Sequence, residues 1–303
     1  MHAPDSFAQG LVSFRRAAFG LMLSLLACGG SNVSSKTEDD ARQMIPVPIC
    51  VKRLPRGAEP GVVVSLTPEE YWSLLLPSYD RNAKTIDPSQ PDCSGRLSVK
   101  SLSPDGATSL PVDPERVSLA PGADGLKIVW LPSHPLSEGR FEGLLALVRQ
   151  RESYMEVYAV GIHRGRPEGT RFTLQRMGPR LVVEGIQEDC QGDGSDRRCR
   201  AATSIYLMAT GALRSAAGYP IEQAAKANAK DGSPLEYRFS ASADYKDTAI
   251  ELTEHLSVSA KGQGEIRSSD LQRAFRLEQG NLVASGESLW TKTLRELGQK
   301  PVE

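Results

Sequence analysis

Histidine is scarce, four in 303 residues, and no two histidines stand in an H-x-x-x-H or H-E-x-x-H spacing, so no helix face carries a paired zinc ligand. The chain has no G-x-S-x-G elbow, no S-x-x-K pair and no P-loop, which removes the serine-nucleophile and nucleotide-binding motifs that are legible in a sequence. A surplus of either charge is also missing. Lys and Arg number 36 against 37 Asp and Glu, for a formal charge of −1, so the chain carries no electrostatic footprint for nucleic acid. Long apolar runs are absent apart from Ala17 to Leu26. That run is about ten residues, too short to cross a bilayer as a helix.

What is present begins at that run. Arg15 and Arg16 precede it, and it ends in Leu25-Leu26-Ala27-Cys28, followed by Gly29-Gly30-Ser31. A short positive region, a short apolar core and a small residue before a cysteine resemble the lipobox signal of bacterial lipoproteins. The resemblance implies that residues 1–27 are a signal peptide and that Cys28 becomes the lipid-bearing N-terminus. Several acyl chains make such an anchor effectively permanent, because each buried CH₂ contributes about 0.8 kcal/mol. Gly29 stands where lipoproteins retained in the inner membrane carry Asp, so the analogy favours the outer membrane of a two-membraned cell. Residues 28–43 are polar and read as a flexible tether. Without residues 1–27 the chain loses Arg15, Arg16 and Asp5, which leaves 34 cationic and 36 anionic side chains.

Export also sets the redox context. With Cys28 lipidated, Cys50, Cys93, Cys190 and Cys199 remain, an even number in an oxidising compartment. Of the three pairings, loop closure favours Cys50–Cys93 and Cys190–Cys199. The spacings do not form C-x-x-C modules, so no metal site is expected.

Residues 44–125 form a proline-rich, irregular region. Met44 to Val51 reads as an edge strand or extended segment, because its prolines cannot donate to a ladder. Thr67-Pro68-Glu69-Glu70 is a helix start with N-cap, N1 proline and N3 glutamate, and Tyr71, Trp72, Leu74, Leu75 and Leu76 supply its apolar face. Residues 126–303 read as a β-rich domain. Leu126–Leu131 is a strand, and Leu144–Val148 with Tyr154–Ile162 is a hairpin. Phe172 to Gly185 and Phe275 to Gly286 each read as strand, glycine turn and strand, with Ile205–Leu207 before Gly211 as a third instance. Tyr237–Ala241 and Ile250–Leu252 flank a turn near Asp244 to Asp247. Two helices are expected here, Ile221–Ala229 on its alanine content and a C-terminal one over Glu287–Leu297 with Leu289, Trp290, Leu294 and Leu297 on one face. The expected fold is mainly β (α+β): an antiparallel sheet, sandwich or meander with a few peripheral helices and a C-terminal helix.

Candidate chemistry is sparse. His134, His163 and His255 have no partners at ligand spacing and read as satisfied or solvated histidines. Glu188 to Cys199 is an acidic, glycine-rich loop closed by two cysteines. Its oxygens could hold Ca²⁺, but the alternation of an EF-hand is missing and Arg197-Arg198 compete for the carboxylates, so a disulfide-closed polar hairpin is the better reading. No catalytic residue and no cofactor is assigned. The anchor, the β-rich body and the missing motifs favour a non-enzymatic binding or assembly subunit that contacts the membrane through Cys28 and takes an envelope protein or polysaccharide as partner. An envelope hydrolase with a dispersed site and a solute- or ion-binding module are the alternatives.

Overall fold

In a computed structural model, the protein is described over residues 46–55, 64–97, 108–191, 198–229, 231–260 and 262–299. The expected signal segment, Cys28, the tether and the loop tip at 192–197 lie outside these residues. The chain opens with β1 (Cys50–Arg53), α1 (Pro68–Leu75), β2 (Thr85–Ile86) and β3 (Leu110–Pro111). A long series of strands follows: β4 (Ser118–Pro121), β5 (Leu126–Pro135), β6 (Phe141–Gln150), β7 (Tyr154–Gly165), β8 (Thr170–Met177) and β9 (Arg180–Gln191). It continues through β10 (Arg198–Ala209), β11 (Ala212–Asn228), β12 (Pro234–Tyr245), β13 (Ala249–Ala260), β14 (Gly264–Glu278) and β15 (Asn281–Ala284), and α2 (Leu289–Glu296) closes the series. The protein is mainly β, as its alternation and turn residues predict.

Thirteen strands share one sheet. Its main path runs β15-β14-β13-β12-β11-β7-β6-β5-β4, with β10, β9 and β8 branching from β11 and β1 pairing with β7. Neighbouring strands pair antiparallel, except where Ala212 and Leu213 of β11 meet Val160 and Gly161 of β7 in parallel. The glycine turns behave as read. Thr210-Gly211 and Gln279-Gly280 both have positive φ at their two central residues, the backbone that matches the twist of a two-residue hairpin.

The sheet folds over itself, and apolar clusters fill the space between its layers and beneath α1. Val129, Leu144 and Val148 on one face of β5–β7 pack against Trp72 and Leu75 of α1. Trp130, Leu145 and Leu147 on the opposite face pack against Phe172 of β8, Val183 of β9 and Tyr206 of β10. The far side of β9–β10, with Val182, Ile205 and Leu207, packs against Ile250, Leu252, Phe275 and Leu282 of the last meander. Leu144-Leu145-Ala146-Leu147-Val148 is apolar throughout because both its faces are covered. In β13 only alternate residues are buried, since one face meets solvent.

The helix start at Thr67 forms a full capping box. Glu70 N–H donates to Thr67 Oγ1 at 3.3 Å, and Thr67 N–H donates to Glu70 Oε2 at 2.7 Å. The described residues form one compact unit, in which Trp72 and Leu75 of α1 share a cluster with Val129 and Leu144. Two disulfides close, Cys50–Cys93 and Cys190–Cys199, the pairs that loop closure favours.

The expected helix at Ile221–Ala229 does not form. Those residues continue β11, pairing from Glu222 opposite Ser240 to Asn228 opposite Pro234. Alanine's helix propensity is worth only tenths of a kcal/mol per residue, and the ladder with β12 overrides it. Pro220 sits beside a register shift between β10 and β11, where a missing donor is tolerated. His134 lies within β5.

Candidate functional site

A group of side chains from several strands and turns lines a cleft of about 500 Å³, within the range of small-ligand sites. Three turns and strand ends contribute cations to it. Arg140 follows the turn between β5 and β6, Arg166 follows β7, and Arg200 stands in β10. Glu138 and Asp189 are the carboxylates of the wall. Arg166 Nη1 pairs with Asp189 Oδ1 at 2.8 Å, which holds both in place. Arg140 and Arg200 form no side-chain hydrogen bond or ion pair among the described residues. Each therefore keeps a full guanidinium fork for a bidentate carboxylate or phosphate.

The cleft wall is well fixed. Gln187 Oε1 accepts the backbone N–H of Arg166 at 2.6 Å, and Thr170 Oγ1 donates to the Arg166 carbonyl at 2.7 Å, tying the β7–β8 turn to β9. Asp189 and Arg200 lie directly opposite one another in the β9–β10 ladder, one pair inward from Cys190 and Cys199. The disulfide therefore locks the hairpin stem that carries one acidic and one basic lining residue. Ala201, Ala202 and Gly218 leave the floor low, while Tyr219 and Trp290 supply aromatic walls. Trp290 comes from α2 and packs on Phe239 with ring centroids 5.9 Å apart. Asp189 and Arg200, beside the Cys190–Cys199 disulfide, and the C-terminal tryptophan, separate features of the sequence, thus border one cavity.

His163 lies behind this wall. Its Nδ1 is 2.7 Å from Tyr206 Oη, and Trp130 and Phe172 meet its ring edge-on at 4.8 and 4.9 Å. A Cβ on Gly165 would stand 2.6 Å from His163 Nε2 and 2.8 Å from Gln187 Oε1, so only glycine leaves room for the imidazole. Burial lowers the His163 pKa to about 3, and it pushes Tyr206 up to about 12. His163 is thus a neutral core group at physiological pH. His255 is exposed and lies 2.8 Å from Asp270. Among the described residues no three His, Cys, Asp or Glu side chains come together to hold a metal ion. Likewise, no described helix is long and apolar enough to cross a membrane.

Sequence spacing gave no sign of Arg140, Arg166 or Arg200, which approach only because the β5–β6 turn, the end of β7 and β10 converge. Comparison with protein-family models, characterised proteins and solved structures finds no match to this chain. What the cleft offers chemically is recognition: two unpaired guanidiniums, an indole wall and a small-residue floor.

Proposed function

We propose that the protein is a lipid-anchored subunit of the cell envelope that binds an anionic group of an envelope partner in this cleft and catalyses no reaction. The observation that carries the reading is the pair of unpaired guanidiniums, Arg140 and Arg200, in a preformed cleft beside Trp290. Guanidinium forks recognise planar carboxylates and phosphates, and an indole wall adds apolar contact for the group that bears them. The anchor rests on Leu25-Leu26-Ala27-Cys28, and Gly29 supports the outer membrane where the cell has one.

Two experiments test the proposal in cells. Metabolic labelling with a fatty-acid analogue is expected to mark the wild-type protein and not Cys28→Ala, whose precursor stays uncut or mislocalised. Equal labelling of both would reject the anchor. Pull-down of the lipidated protein from envelope extract is expected to recover a stoichiometric partner that Arg140→Glu with Arg200→Glu loses. A partner retained by the double variant would reject the cleft as the contact site.

A further inference from the structure

A second cavity, of about 530 Å³, has Glu184 in its wall together with Tyr219, Tyr245, Gln175 and Arg176. Glu184 sits in β9 opposite Thr173 of β8 and Ile205 of β10, a position that would suit an apolar residue. It is only 7 % exposed. Its Oε2 accepts from Thr173 Oγ1 at 2.9 Å, and its Oε1 accepts from Tyr219 Oη at 3.1 Å. No Lys, Arg or His forms an ion pair with it among the described residues. Arg176, the cation of the same wall, is paired with Asp124 at 2.8 Å.

A carboxylate removed from water is ordinarily matched by a cation, because hydroxyl hydrogen bonds alone do not offset the loss of hydration. Here no cation among the described residues matches the charge, and open space adjoins the carboxylate. Tyr219 and Tyr245 both have raised pKa values, from burial first and then from the charge of Glu184. The Tyr245 hydroxyl is buried and makes no well-formed hydrogen bond among the described residues. Aromatic rings beside a carboxylate favour an ammonium over a hydrated metal ion. The other carboxylate of the wall, Asp244, is paired with Lys246, which leaves too little free charge for Ca²⁺, an ion that gathers several carboxylates. The volume also far exceeds the roughly 30 Å³ share of one water, so it suits an organic cation better than a bare one.

We propose that this cavity binds a protonated amine, with the ammonium against Glu184 and the carbon chain between Tyr219 and Tyr245. Tyr219 borders both this cavity and the arginine-lined cleft, but the other residues named for the two sites differ and the proposal does not depend on the function assigned to that cleft.

Calorimetric titration of the purified protein at constant ionic strength tests it with n-butylammonium as probe, n-butanol as its neutral counterpart and sodium chloride as the bare cation. Saturable binding of n-butylammonium is expected, without binding of n-butanol. Glu184→Gln, which keeps size and can still accept from Tyr219, is expected to weaken binding by about tenfold or more, and Tyr245→Phe by less. Arg200→Ala in the other cleft is expected to leave it unchanged. Should Glu184→Gln fail to fold, Tyr245→Phe and Tyr219→Phe carry the comparison. Failure of n-butylammonium to bind would overturn the proposal, as would equal affinity for n-butanol or undiminished binding by Glu184→Gln. Displacement of the amine by sodium at equal concentration would make the site an alkali-ion site and overturn it too.

Discussion

The carboxylate of Glu254 accepts the backbone N–H of Leu289 at 2.7 Å, joining the middle of β13 to the first residue of α2. Glu254 is fully buried and is also paired with Arg273, itself nearly buried. One carboxylate therefore neutralises an interior guanidinium and satisfies an orphan donor at a helix N-terminus. Since α2 carries Trp290 to the cleft, the ion pair in the sheet positions an aromatic wall of the candidate site.

Removing either side of that arrangement is expected to be costly. Trp290 packs with Phe239, Leu256 and Leu294, so Trp290→Ala should cost roughly 3–5 kcal/mol. Glu254→Ala leaves Arg273 buried and unpaired, at a similar cost of about 3–5 kcal/mol. Because both changes undock the same helix, the double variant should lose clearly less than the sum. Denaturant unfolding measures all three. Strict additivity would show that Glu254 does not hold α2, and an unchanged midpoint for Trp290→Ala would show that the helix is not docked.

The two disulfides should differ in worth. Cys190–Cys199 closes a short loop, sequence separation 9, for which chain entropy gives roughly 2–3 kcal/mol. Cys50–Cys93, with separation 43, should give about 4 kcal/mol. Peptide mapping without reductant is expected to recover these two pairs, and paired Cys→Ser variants should destabilise in that order. A Cys93–Cys190 link would contradict the structure directly.

His163 predicts a pH dependence. The folded-state pKa is lowered to about 3 from the ordinary 6.5, so between these values the unfolded chain binds a proton that the folded chain refuses. Stability is then fully present above about pH 6.5 and falls as the pH drops toward 3, with a slope approaching about 1.4 kcal/mol per pH unit. His163→Gln keeps a partner for Tyr206 and should flatten that slope by this amount. Unfolding free energies collected from pH 7 to pH 4 decide it; identical slopes in the two proteins would show that His163 does not report on acid stability.

Local signals were the readable ones. The capping box at Thr67 and Glu70, the glycine turns at Gly178, Gly211 and Gly280, and the doubly covered run Leu144–Val148 each follow from a few adjacent residues. Ile221–Ala229 has helical composition, but its fate depends on β12, which lies beyond any local window. The cleft was illegible for the same reason on a larger scale. Arg140, Arg166, Arg200 and Trp290 are spread over 150 residues and meet only through strand order, and Glu184 looks like any exposed strand glutamate until Tyr219 and Tyr245 come to lie beside it.

Ligand binding in the arginine-lined cleft is the claim on which the functional account stands, and Trp290 gives it an optical reporter. Trp72 and Trp130 are fully buried, so a ligand in the cleft changes the emission of Trp290 alone. Fluorescence titration with D-glucuronate, glucose 1-phosphate and D-glucose is predicted to give a saturable, salt-sensitive change with at least one of the two anionic sugars and none with glucose. Arg200→Ala should weaken that response about tenfold or more, since a hydrogen bond to a charged group is worth about 1.5–3 kcal/mol. No saturable response to either anion, or a response untouched by Arg140→Ala and Arg200→Ala, would contradict the account.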